Sequence, residues 1–154
     1  MKRSGTIKRN TRTAGAKGLR DKCDKKWSLC VRLAGRCAIC GKTTHLQAHH
    51  LIKRDVMFYR HDLRNGVCLC PDCHKFSAEC SAHGSPWEFE IRMGELHVAQ
   101  SDWWQANRYT LHRGERMDYA AVLDDLTAIL EQGKTYKWMW RQVGMAPPEQ
   151  GEDE

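Results

Sequence analysis

Two Cys-x-x-Cys pairs, Cys37/Cys40 and Cys70/Cys73, bracket a histidine doublet (His49, His50) and Asn65, and His74 follows directly on the last cysteine. This pattern limits what the chain can fold into more than any other feature of it. Four thiolates at that spacing suit a closed tetrahedral zinc cage, which orders a segment too small to build its own core. Plain zinc ribbons place their two knuckles about 15–20 residues apart. Here residues 41–69 lie between them, and the excess carries the histidines and Asn65. Imidazoles beside a carboxamide suit an open site for a second divalent ion. A purely structural ribbon has no need of that second set.

The cysteine count is eight, which in a secreted chain would read as a disulfide framework. The N-terminus lacks the apolar core of a secretory signal, and no apolar run is long enough to span a bilayer. The expected setting is therefore a reducing cytoplasm, where paired cysteines hold metal. Cys23, Cys30, Cys68 and Cys80 lack the knuckle spacing and read as small buried hydrophobes.

Charge divides the chain. Residues 1–26 hold ten Lys and Arg against two Asp, within a whole chain of formal net charge +6. A basic front end is the footprint of a polyanion-binding surface, since neutralising phosphates releases counterions. Residues 1–16 have no apolar periodicity and read as a flexible basic arm. Leu19, Cys23, Trp27, Cys30 and Val31 then recur at helical spacing up to Gly35, with Arg20, Lys22, Lys25, Lys26 and Arg32 largely on the other face.

Residues 17–132 of the 154-residue chain read as a single domain, with a core at 36–83 and helices over 84–132. Within the core, His45 to Ile52 and Gly66 to Leu69 read as a strand pair joined by a long connection, and a helix is expected from Pro71. On a strand, neighbours face opposite sides, so His49 and His50 should divide two tasks between them, one toward a metal and one toward a proton. Pro86 can open a helix through Trp87, Phe89 and Ile91, and Ser101 or Asp102 can cap another holding Trp103, Trp104 and Tyr109. Tyr119, Val122, Leu123, Leu126, Ile129 and Leu130 form the strongest helical stripe, suited to a core or partner face. Residues 133–154, with Trp138, Trp140 and an acidic end, read as a tail.

From Cys37 to His74 the chain resembles the HNH endonucleases, whose fold is the ββα-metal core. The resemblance rests on CAIC, LQAHHLI and LRNGVCLCPDCH. LRDKCDKKWSLCVRL and SAHGSPWEF also look like small phage-encoded members. It implies a small α+β fold, a zinc-stapled ββα-metal core flanked by an N-terminal helix and C-terminal helices. It also implies hydrolysis of DNA phosphodiester bonds, with RNA left open, in phage packaging or recombination and alongside a partner of that process. His49 and His74 match the ligands of the catalytic ion, His50 matches the general base, and Asn65 matches the residue that braces the loop.

The implied cofactors are structural Zn²⁺ on the four cysteines and catalytic Mg²⁺, or Mn²⁺ or Ni²⁺. The chain departs from common family patterns in two places. His49 stands where many members have Asp, which widens metal choice toward softer ions. Ala78 stands where some members have a further ligand, and His83 is the nearest substitute. Arg54, Arg60 and Arg64 on the long connection, with Arg20, Lys22, Lys25 and Lys26 on the first helix, are the expected phosphate contacts. The competing reading is a zinc-containing nucleic-acid-binding accessory protein without catalysis, which leaves the doublet, Asn65 and His74 unexplained.

Overall fold

The computed structural model describes residues 11–112 and 116–132. Helix α1 spans Thr11–Arg32. It starts inside the stretch read as an arm, because residues 11–16 contain no proline and Ala14 and Ala16 offset the cost of Gly15. Residues 1–10 of that arm, and the whole 133–154 tail with Trp138 and Trp140, lie outside the described residues. Cys23, Trp27, Cys30 and Val31 are buried along one face, as their spacing predicts. Past the end of the helix, Gly35 takes a left-handed φ of 70° that a glycine adopts cheaply.

Strand β1, Gln47–His50, pairs antiparallel with strand β2, Gly66–Leu69, with His49 opposite Val67 and His50 opposite Gly66. β1 is shorter than the His45–Ile52 expectation. His45 has a positive φ of 56°, which breaks the extended run before it. Leu51 and Ile52 are instead tied to Asn65. Two four-residue strands are marginal alone, so both faces are covered. Val67 and Leu69 join Cys37, Ile52, Tyr59, Phe89, Met93 and Trp104 in one apolar cluster, while Cys68 joins Trp27, Cys30, Val31, Leu126 and Ile129 in another. Each large side chain so buried contributes roughly 1.5–3 kcal/mol. Gly66 permits the second packing, since a Cβ there would lie 2.3 Å from Val31 Cγ2 and 2.9 Å from Trp27 Cζ2.

The helix expected from Pro71 is a single wide turn, Asp72–Phe76, closed by Ser77 N donating to the Asp72 carbonyl at 2.9 Å. It stops because the Cys73 and His74 carbonyls accept from the amides of Ala82 and His83 (2.9 and 3.1 Å) instead of from a next helical turn. The chain thus folds back on itself, with Ser81 bridging Ser85. Helix α2, Pro86–Leu96, buries Phe89 and Met93 one turn apart.

Helix α3, Val98–Asn107, begins earlier than the Ser101 or Asp102 cap expected. Both residues lie inside it, Ser101 N already donates to the His97 carbonyl (2.9 Å), and Tyr109 falls beyond its end. Buried Gln100 anchors α3 to the Arg64 and Gly66 carbonyls, both at 2.8 Å. Helix α4, Tyr119–Glu131, is capped by Asp118, whose Oδ1 accepts from Ala120 N and Ala121 N. Its stripe packs on α1, with Leu126 and Ile129 buried. The result is a small α+β fold. Among the described residues, no helix is long and apolar enough to cross a membrane.

Candidate metal centres and active-site cleft

Cys37, Cys40, Cys70 and Cys73 bring their sulfurs within 4.8 Å of one another. Cys40 Sγ and Cys70 Sγ lie 3.6 Å apart. That is far beyond a disulfide bond of about 2.05 Å and close to the edge of a tetrahedron built from Zn–S bonds of about 2.3 Å. The first knuckle is a tight turn in which Gly41 N donates to the Cys37 carbonyl (2.9 Å) and Gly41 takes a φ of 76°. Cys37, Cys70 and Cys73 are buried, whereas Cys40 is exposed. A four-thiolate donor set of this shape fits zinc. Of the remaining cysteines, Cys23, Cys30 and Cys68 are buried and Cys80 is half-buried. Cys23 and Cys30 direct their thiols to the Tyr119 and Leu126 carbonyls.

The second cluster is made of imidazoles. One ring nitrogen each from His49, His74 and His83 falls within 4.8 Å of the others, and all three ring pairs have centroids 5.0 Å apart. His49 is placed by β1 and packed edge-on against Phe89. His74 Nδ1 meets Gln47 Oε1 at 2.6 Å. An amide oxygen only accepts, so Nδ1 carries the proton and Nε2 keeps its lone pair for a ligand. Burial, then the neighbouring His74 and His83, holds the His49 pKa down to about 3. Burial, then His83 and Lys75, holds His74 down to about 4. Both rings are therefore neutral at pH 7, the form that binds a metal. Three imidazoles gathered in this way fit a divalent transition ion.

His50 turns to the other face of the sheet. Its ring stacks on Trp27 of α1, centroids 3.8 Å apart and 10° from parallel. Its Nε2 donates to the Arg60 carbonyl at 2.9 Å, which leaves Nδ1 as the proton acceptor. Burial lowers its pKa despite that hydrogen bond, so the ring is neutral and able to accept a proton at pH 7. His49 and His50 thus divide as strand alternation predicts. Both nevertheless line one cleft of about 600 Å³ with His74, His83, Lys53, Arg54, Asp55, Phe89, Glu90 and Arg108.

Asn65 is fully buried and is not itself one of the residues that line that cleft. Its Oδ1 accepts from Ile52 N (2.6 Å), and its Nδ2 donates to the Ile52 and Tyr59 carbonyls (both 2.9 Å). All of its amide groups close the 51–65 connection on itself and tie down the loop that carries Arg60.

The basic residues fare unevenly. Arg60 is gripped in a two-pronged pair by Asp24 of α1 (Nε–Oδ1 and Nη2–Oδ2, both 2.7 Å). Arg64 is gripped by Asp62 and lies 5.0 Å over the Trp103 ring. Neither lines the cleft. Both guanidiniums, expected to hold phosphates, are engaged by carboxylates that lie nearby in the fold. Arg54 is exposed and lines the cleft; Lys22 and Lys25 are exposed on α1, with Arg20 and Lys26 half-buried there.

Sequence reasoning missed Trp27 as the partner of His50, and Lys53, Glu90 and Arg108 as parts of the cleft. Trp27 read only as an apolar helix position, and Glu90 on α2 and Arg108 just past α3 belong to segments that carry no motif. His83 was visible as a nearby imidazole, but nothing in its nine-residue distance from His74 signals the backbone pairing that brings the two together.

Residues 37–76 match the family model described as HNH endonuclease. That segment contains the four clustered cysteines, the histidine doublet, Asn65 and His74, and stops short of His83. No curated protein and no solved structure matches the chain.

Proposed function

We propose that this protein is a metal-dependent endonuclease that hydrolyses phosphodiester bonds in DNA. The observation that carries the reading is the single cleft lined by three clustered imidazoles and by a fourth, His50, whose hydrogen bond to Arg60 leaves its Nδ1 as acceptor. His50 takes a proton from water, and the hydroxide so formed attacks phosphorus in line with the departing 3′-oxygen. Trp27 keeps the ring in plane, and the Arg60 carbonyl keeps it in one tautomer and balances the positive charge it gains.

His49, His74 and His83 would hold the divalent ion. When bound, it supplies Lewis-acid stabilisation of charge on the phosphate and the leaving oxygen. An all-imidazole set favours Mn²⁺ or Ni²⁺ over Mg²⁺, which prefers oxygen ligands. Zinc on the four cysteines has a structural role. Lys22 and Lys25 of α1, and Arg54 at the cleft, contribute affinity for the nucleic-acid backbone that is independent of sequence. Participation in phage DNA packaging or recombination, in a bacterial cytoplasm, is the biological setting that fits the resemblance of the flanking segments.

Supercoiled plasmid incubated with Mn²⁺, Ni²⁺ or Mg²⁺ tests the proposal. Wild type should convert it to nicked or linear forms, and His50→Ala should not, while keeping its zinc. Plasmid left intact by wild type with every ion would favour a zinc module that binds nucleic acid without cutting it.

A further inference from the structure

We infer that Arg108 forms a subsite for a backbone phosphate of the substrate, on the cleft wall built by α2 and α3 and outside the segment that matches the family. The inference rests on the nuclease reading for its ligand, a nucleic-acid phosphodiester beside the one being cut. Arg108 follows the last residue of α3 and lines the same cleft as the histidines. Its guanidinium is held on several sides. Nη1 donates to Glu90 Oε1 (2.8 Å) and Gln105 Oε1 (3.0 Å), and the group lies 4.9 Å over the Trp104 ring and 5.2 Å over Tyr109. These contacts use one nitrogen and the flat faces. Nε and Nη2 donate to no described protein group. They form one edge of the rigid fork that matches two phosphate oxygens, and its ordering entropy is already spent.

A purely structural role explains this arrangement less well. α2 and α3 are already joined without Arg108, by Gln105 Nε2 donating to Glu90 Oε1 (2.6 Å) and by Phe89 packed edge-on to Trp104. Among the described residues, Glu90 is the one carboxylate that α2 and α3 bring to the cleft lining, and the hydrogen bonds from Gln105 and Arg108 both engage its Oε1. Lys53 and Arg54 add two cations to the cleft lining, against Asp55. A phosphate entering the cleft therefore meets cations from two parts of the fold.

The test measures binding of a fluorescent duplex oligonucleotide in a His50→Ala background, by anisotropy over a range of KCl concentrations. Arg108→Ala should weaken binding about ten-fold at low salt and reduce the magnitude of the log–log salt slope by about 0.7–0.9, the signature of one lost phosphate contact. Arg108→Lys should restore the slope, because it keeps the charge while losing the fork. Glu90→Gln should bind as tightly as the parent or tighter, since the guanidinium then has no competing carboxylate. An unchanged salt slope in Arg108→Ala overturns the subsite, whatever happens to its melting temperature. So does a loss in Glu90→Gln equal to that in Arg108→Ala, which would mark the pair as a brace. Because binding is read without cleavage, the result stands apart from the nuclease test: an intact plasmid with wild type would sink the catalytic reading and leave the phosphate contact measurable.

Discussion

The two clusters of potential metal ligands share one short stretch of chain, yet they are built for opposite purposes. The four thiols close around a point at one edge of the strand pair, three of them buried, and none of the four lines the histidine cleft. The three imidazoles open onto a cleft of about 600 Å³ that also admits His50, Arg54 and Arg108. Burial and donor chemistry separate them. A closed tetrahedron of sulfur leaves no position for a reactant, whereas three nitrogens on one side of an ion leave the other side free. The link between them is direct, since Cys73 and His74 are adjacent. The first cluster thus aims the second.

Breaking the thiol cluster should have the largest effect. Cys37→Ser or Cys73→Ser should abolish zinc content and unfold the 36–83 core, seen as loss of the cooperative thermal transition by circular dichroism, because zinc binding there is folding free energy of about 10 kcal/mol or more. His74→Ala or His83→Ala should leave zinc at the cysteines and a folded chain, read by metal analysis and the same melt. If His83→Ala lost the cysteine-bound zinc, the separation between the two clusters would fail.

On the open side, His50→Ala should lower the cleavage rate by roughly 10²–10⁴-fold with little change in melting temperature. Asn65→Ala should be the reverse case. It leaves Ile52 N and two carbonyls without their partners, for a stability loss of about 2–4 kcal/mol by urea titration. Cleavage by the fraction that remains folded should fall less than in His50→Ala.

The smallest effect concerns Asp24. Burial raises the pKa of its carboxyl, but hydrogen bonds from Arg60 and His61 outweigh this and bring it from 3.8 to about 2. A depressed carboxyl stabilises the fold above its ordinary pKa, and that stabilisation fades as pH falls from about 4 toward 2. Asp24→Asn should therefore cost about 1–2 kcal/mol, by a difference that stays flat from pH 7 to about 5. Over that range the thiol cluster should already begin to release its metal as its ligands take up protons. A difference that shrinks between pH 7 and 5 would show that Asp24 is not the group responsible.

What could be read in advance followed the local rules. Knuckle spacing located the cage, strand alternation split His49 from His50, and the apolar stripes of α1 and α4 named the faces that pack together. Three things required the folded chain. His83 reaches the cluster because backbone carbonyls at Cys73 and His74 turn away from a helix and toward Ala82 and His83. Arg60 and Arg64 looked like phosphate contacts because a sequence shows charge without showing which acids claim it, here Asp24 across 36 positions and Asp62 two positions away. Trp27 meets His50 through long-range packing that helical periodicity reports only as burial.

The pairing of His49 with Val67 and of His50 with Gly66 carries a vulnerability. Successive residues of a strand alternate sides, so sliding β1 by one position against β2 would exchange the duties of the two imidazoles. His50 would then face His74 and His83, and His49 would lie against Trp27. Composition would be unchanged and the proposed division of roles lost. Leu51 N on the Asn65 carbonyl (2.9 Å), directly after the doublet, acts as a stop against that slippage.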